Sequence, residues 1–279
     1  MIKPKPLGYI DLNGKKLPIT PLNNFFLNYV FHKKENWETL RTIVNIFLRD
    51  YIDKTPNTTT KLILGEIEVE TQYKYLLSAN STRDQDLKIK QMQSDEITFV
   101  ELQNRARKDR TKVDIEIRAV QYFGLGIGKN NVNANQVWIL AEHLEMLEDK
   151  AYKNFKLKEE TTNEDYKIDT SILFISLPKL IEEVDTKVSE LAKVLLGETE
   201  TKYEDISKVI KALKENFKDL KIDKEATNMM TNAEIWREEG FFDGFEQGEE
   251  QGIEKVISYI KQGYSLEEAE KMAKSKAKN

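Results

Sequence analysis

Cysteine is absent from this chain of 279 residues, and histidine occurs only twice, as His32 and His143. The first absence excludes disulfides and thiolate metal sites and is compatible with a reducing compartment. The second leaves too few imidazoles for a histidine-rich zinc centre, and the wide separation of the two speaks against a Ser-His-Asp triad. No apolar run approaches the roughly 18 residues that a membrane-spanning helix needs. The opening stretch MIKPKPLGYIDLNGKK has no apolar core of the kind a signal peptide carries. A soluble, cytoplasmic protein without a membrane partner is therefore expected. A net charge of −5 argues against a surface that binds nucleic acid everywhere.

What is present suffices for one sizeable core and a smaller helical appendage, with 39% hydrophobic residues. Residues 36–52 read as a helix, with Trp37, Leu40, Val44, Phe47, Leu48 and Tyr51 at helical spacing. Leu62 to Val69 reads as a strand, and Thr111 to Leu125 as a helix with Val113, Ile117 and Val120 on one stripe. The glycines of GLGIG, residues 124–128, follow that helix rather than opening one, so they end it and form no dinucleotide loop. VWILA (137–141) and SILFIS (171–176) read as short apolar strands, with a helical or flexible insertion between them from Glu142 to Lys167. Ile181 to Leu196 and Tyr203 to Phe217 have helical periodicity, and nothing later resembles a strand. The expectation is an α/β protein, a mixed sheet flanked by helices over residues 1–178, then a mostly helical region over 179–279.

The informative segment is RDQDLKIKQMQSDEITFVELQ, which reads as a hairpin. Apolar and polar residues alternate from Leu87 to Lys90 and from Thr98 to Gln103, with a polar break between. A two-residue turn at Ser94-Asp95 would set Asp86 opposite Gln103 and Lys88 opposite Glu101. Leu87, Ile89, Val100 and Leu102 then share a core face, and Asp86, Lys88, Glu101 and Gln103 share the other. Mg2+ or Mn2+ takes oxygen ligands and needs only one or two carboxylates from protein. Asp86 and Glu101, diagonal neighbours at about 7–8 Å, can supply that pair. Gln103 would orient a water or a phosphate oxygen, and Lys88 would stabilise negative charge. The bland alternative is a solvated strand face with one Lys88–Glu101 ion pair.

Asp86 followed by Glu101-Leu102-Gln103, after one amphipathic helix and before another carrying Arg118 and Tyr122, resembles the PD-(D/E)xK nuclease superfamily. More narrowly it resembles the recombination-promoting, transposase-like branch. Pro21 to Leu48 is similar to that branch's N-terminal segment, Arg118-Ala-Val-Gln-Tyr122 to its post-catalytic helix, and Ile175-Ser-Leu-Pro-Lys-Leu180 to its Leu-Pro-Lys segment. Gly240 to Ala273 is similar to its Gly/Glu-rich tail. The resemblance implies a restriction-endonuclease-like core and a Mg2+-dependent DNA endonuclease with Asp86 and Glu101 as metal ligands. The sequence departs from the superfamily pattern twice: Gln103 stands where a lysine is usual, and Asn24 where an acid is expected before the first helix. Lys88 is a candidate stand-in for the missing lysine. The alternative function is a catalytically weak or inactive nuclease fold that binds nucleic acid or a protein.

In a nuclease, the run Asn104 to Lys112, with Arg105, Arg107, Lys108, Arg110 and Lys112, is placed to grip phosphates beside the metal. Arg118 and Tyr122 join that candidate interface; for Arg118 the plain alternative is an i, i+4 pair with Asp114. In the tail, Gly240, Gly244, Gly248 and Gly252 form a small-residue stripe if helical. Each glycine costs a helix about 1 kcal/mol relative to alanine, which favours a flexible or oligomerising arm. Ile253 to Lys276 reads as a last helix, and a homo-oligomer built through this arm is expected as one possible assembly.

Overall fold

The computed structural model describes residues 4–12, 14–56, 63–71, 87–92, 97–103, 115, 117, 119–120, 134–156, 158, 161–162 and 170–230. Its centre is a six-stranded mixed sheet in the order β3-β4-β5-β6-β8-β7. Strands β3 (Ile67–Thr71), β4 (Leu87–Gln91) and β5 (Ile97–Gln103) form an antiparallel meander. Strands β6 (Ala134–Leu140) and β8 (Ser171–Ser176) then run parallel to β5, and β7 (Tyr152–Lys156) returns antiparallel at the edge beside β8. The sequence of each strand matches its place. SILFIS in β8 is buried at every position, as a strand covered on both faces must be, whereas IEVET at the β3 edge alternates between buried and exposed.

One face of the sheet carries Val69, Leu87, Ile89, Val100, Leu102, Val137, Ile139, Leu173 and Ile175, all buried. Helix α2 (Trp37–Lys54) lies against this side, since Tyr51 accepts a hydrogen bond at its hydroxyl from Asn154 of β7 (3.1 Å). Its buried positions Leu40, Ile43, Val44, Phe47, Leu48 and Tyr51 recur at helical spacing. Fully burying a side chain such as Phe47 stabilises by about 1.5–3 kcal/mol, so this stripe is the main fastening of helix to sheet. Asn45 of the same helix donates to the Leu64 carbonyl (2.8 Å) and accepts from the Leu64 N–H (2.7 Å), fixing the segment that leads into β3. On the opposite face Trp138, Leu140, Ile172 and Phe174 pack with Leu147 and with Ile115 and Ala119, two helical residues from the β5–β6 crossover.

The remaining helices close the core. Helix α1 (Asn24–Phe31) is capped by Asn23, whose side chain accepts from the Phe26 N–H (2.9 Å). The short α3 (Leu177–Leu180) follows β8 directly, and α4 (Lys187–Leu195) is capped by Thr186. Helix α5 (Glu204–Ile222) has Glu204 and Asp205 in its first turn and Lys221 in its last, which suits the helix dipole. It is tied to the α1–α2 junction by a reciprocal amide pair: Asn36 and Asn216 each donate to the other at 3.2 Å, and Lys33 reaches Asn216 (3.0 Å). A separate hairpin, β1 (Gly8–Leu12) with β2 (Lys15–Ile19), is held at its base by Lys5 N–H donating to the Leu196 carbonyl. Residues Met1–Met229 form one compact unit.

Several elements differ from the sequence reading. Ile117 and Val120, expected on one helical stripe, are exposed, and Ile115 and Ala119 are buried instead. The helix expected from Ile181 begins at Lys187, where Thr186 caps it. The span from Glu142 to Lys167, expected to be helical or flexible, contains strand β7, whose YKNFK has no strict alternation because an edge strand is only half covered. The first strand of the meander begins at Ile67 rather than Leu62, because the backbone groups of Leu64 and Gly65 are met by the side chains of Asn45, Arg41 and Gln91 instead of by the backbone of a neighbouring strand. The β1–β2 hairpin has no counterpart in the expected elements.

Candidate functional site

Strand β5 is the pivot between the antiparallel and parallel halves of the sheet, and Glu101 and Gln103 lie at its C-terminal end. The β4–β5 ladder pairs Leu87 with Val100, Lys88 with Phe99, Ile89 with Thr98 and Lys90 with Ile97. This corrects the expected register: Lys88 is opposite Phe99, not Glu101. The difference is two residues, so the division of faces survives. Leu87, Ile89, Val100 and Leu102 share the core face, and Lys88 and Glu101 the other, with Ile97 and Phe99 beside them. Residues 93–96, where the turn was expected, lie outside the described residues. Ser-Asp is a weaker turn signal than Asn-Gly, and it did not fix the register.

The ammonium of Lys88 pairs with Glu70 across β3–β4 (3.2 Å), which also corrects the expected Lys88–Glu101 ion pair. Lys88 is thereby a diagonal neighbour of Glu101 on the same face. Asn24 is the first residue of α1, exposed, and its side-chain oxygen accepts from buried Asn28 (3.0 Å).

Glu101 is only 1% exposed. An ionised carboxylate in such a place is costly unless charge or hydrogen bonds compensate it. Its neighbour on β6 is Trp138, fully buried, and two residues back Gln136 stands next to Phe99. The Trp138 indole N–H donates to the Gln136 side-chain oxygen (2.9 Å), and its ring lies 6.0 Å from that of Phe174. The parallel strands β5, β6 and β8 end at one edge of the sheet, with Gln103, Leu140 and Ser176 in line. That edge is where open sheets of parallel strands present ligand sites. Of the expected ligands only the Glu101 carboxylate is described, and it offers oxygen, the donor that a hard divalent cation takes. Among the described residues, no group of three or more histidine and acidic side chains is arranged to hold a metal.

Asp86 lies outside the described residues, as do Arg105, Arg107, Lys108, Arg110, Lys112, Arg118 and Tyr122 and the arm beyond residue 230; for Gln103 only the backbone is described.

Two polar groupings escaped the sequence reading. His143, in the loop after β6, sits between Ser176 and the Glu148 carbonyl. A carbonyl only accepts, so Nε2 donates to it (2.7 Å) and Nδ1 accepts from the Ser176 hydroxyl (2.9 Å). Ser176 is fully buried and its oxygen also caps α3 by accepting from Lys179 N–H, so the pair latches a loop to a helix start. At the β7 edge, the Tyr152 hydroxyl donates to Asp50 (2.6 Å), and Lys54 bridges Asp50 and Glu183. Burial, then the Asp50 carboxylate, pushes the Tyr152 hydroxyl far above the usual phenol range. The bonds that close each grouping, His143 to Ser176, Tyr152 to Asp50 and Lys54 to Glu183, join residues far apart in sequence and could not be read from spacing.

No protein-family model, no curated protein and no solved structure matches this chain. No described helix is long and apolar enough to cross a membrane.

Proposed function

We propose that this protein is a Mg2+-dependent DNA endonuclease with a restriction-endonuclease-like core, of the recombination-promoting, transposase-like kind. The observation that carries this reading is Glu101: a buried carboxylate at the C-terminal end of the strand where a β-meander passes into a parallel strand. One further feature supports it. Helix α2 precedes the meander and a helix-containing crossover follows β5, in keeping with the resemblance, which has one amphipathic helix before the Asp86 to Gln103 stretch and another after it.

In this reading Asp86 and Glu101 hold the cation, which when bound neutralises charge on the scissile phosphate and lowers the pKa of a water. Gln103 orients that water or a phosphate oxygen, taking the place of the superfamily's lysine with a neutral donor and acceptor. Lys88, diagonal to Glu101, contributes positive charge near the same face. Arg105, Arg107, Lys108, Arg110, Lys112, Arg118 and Tyr122 contact the phosphate backbone, an attraction that weakens with salt and carries no sequence preference. The test is supercoiled DNA with Mg2+ or Mn2+, comparing wild type with Asp86→Ala and Glu101→Ala. Nicking by wild type and none by either variant is expected. DNA binding without cleavage in every case would favour the non-catalytic nuclease fold, in which Asn24 replaces a needed acid.

A further inference from the structure

We infer that Trp138 and Gln136 form a positioning device for the Glu101 carboxylate. The inference rests on the metal-site reading above and names how β6 prepares the ligand. Glu101 and Trp138 are register neighbours on adjacent parallel strands, so their side chains leave the same face of the sheet at the strand spacing of about 4.8 Å. At that separation an indole fills the β6 side of the glutamate and removes the side-chain rotamers that would swing toward it. The indole is itself immobile. It is fully buried, its N–H is held by Gln136 at 2.9 Å, its ring packs on Phe174, and Ile115 and Ala119 cover it from the crossover helix.

Gln136 is a buried polar residue, 1% exposed, just before the apolar run VWIL, where a leucine or valine would pack without a polar atom to satisfy. Its described use is the Trp138 N–H. A glutamine kept in a core to orient one indole, next to a buried carboxylate, is what a metal site needs in its outer layer. Ligands hold a cation well only when their own orientation is fixed, and loss of such outer partners typically costs 10–100-fold in metal affinity.

The test measures metal binding without cleavage. Mn2+ affinity is determined by calorimetry for wild type, Glu101→Ala, Gln136→Leu and Trp138→Phe, together with indole-sensitised Tb3+ luminescence and a thermal melt of each. Wild type is expected to bind Mn2+ and to give sensitised emission, and Glu101→Ala to lose both. Gln136→Leu, which leaves the indole but frees it, and Trp138→Phe, which keeps an aromatic of smaller reach, are each expected to weaken Mn2+ binding by about tenfold. Trp138→Phe should also lose the sensitised emission, since Trp138 is the indole beside the proposed ligand. If Glu101→Ala abolishes binding while Gln136→Leu and Trp138→Phe bind as wild type, the positioning role is overturned and the metal site stands. The same holds if Trp138→Phe keeps the wild-type emission. If Glu101→Ala binds Mn2+ as wild type does, the metal-site reading itself is overturned. A lowered melting temperature with unchanged affinity counts against positioning, because it marks Gln136 and Trp138 as core residues only.

Discussion

The ammonium of Lys88 lies 3.2 Å from the carboxylate of Glu70, on the strand that flanks β4 on the side away from Glu101. Glu70 is mostly solvent-exposed and Lys88 about one third exposed, so the pair resembles a surface ion pair rather than a buried one. Such pairs contribute roughly 0–1 kcal/mol. Lys88→Ala should therefore lower stability by less than about 1 kcal/mol in urea unfolding. A double-mutant cycle with Glu70→Ala should find a coupling of the same small size, screened by salt. A coupling well above that range would show that the pair is drier than its exposure indicates.

Asn45 replaces a neighbouring strand for Leu64. It meets both backbone groups of that residue, at 2.8 and 2.7 Å, where the Leu64 side chain is buried. Asn45→Ala leaves a donor and an acceptor without partners, and the expected loss is about 2 kcal/mol. Hydrogen exchange at the Leu64 amide should accelerate in the variant. Unchanged protection there would mean that another group or water takes over the bond.

Gly14 and Gly197 both have positive φ, +83° and +101°, but their surroundings differ. A Cβ at Gly14 meets nothing within 4 Å, whereas one at Gly197 would stand 2.2 Å from the Lys5 carbonyl oxygen. Gly14→Ala should cost only the left-handed penalty of about 1–2 kcal/mol. Gly197→Ala should cost more, because the N-terminal segment bonded to Leu196 must also move. Equal melting temperatures for the two variants would refute this ordering.

His32 closes α1 with Nδ1 2.6 Å from the Tyr29 carbonyl, and burial, its largest influence, holds its pKa below the usual 6.5. The neighbouring Lys33 charge acts in the same direction, while the hydrogen bonds to Tyr29 and Asn28 and the Glu35 charge oppose it. Below pH 6.5 the unfolded chain takes up a proton there that the folded chain resists. This contribution to stability is thus present above that pH and is lost as pH falls toward the folded-state pKa. His32→Gln should flatten the fall in urea midpoint between pH 8 and pH 5. If the two proteins lose the same stability over that interval, His32 is not a source of acid sensitivity.

Strand β4 and helices α2 and α5 were legible because their burial repeats with the period of the element, as in Leu40, Val44, Phe47 and Tyr51 of α2, and β8 because SILFIS is a short apolar run buried throughout. Glu101 could be singled out because an acid two residues from an amide breaks an apolar strand. The Lys88 register could not be read, because alternation reports only which face a residue takes and turn residues must supply the rest. VWILA, with Trp138, was read only as an apolar strand. That Trp138 lies beside Glu101 depends on a parallel pairing across a crossover, which no local pattern encodes. The His143–Ser176 and Tyr152–Asp50 bonds were hidden for the same reason.

The pairing of β5 with strands on both sides also sets how it can slip. A slip by two residues would move Glu101 along its partner strands while leaving it on its own face. A slip by one would turn Glu101 into the layer held by Leu87 and Ile89 and turn Val100 out toward Trp138. Held by β4 on one side and β6 on the other, β5 can make neither move without breaking both ladders.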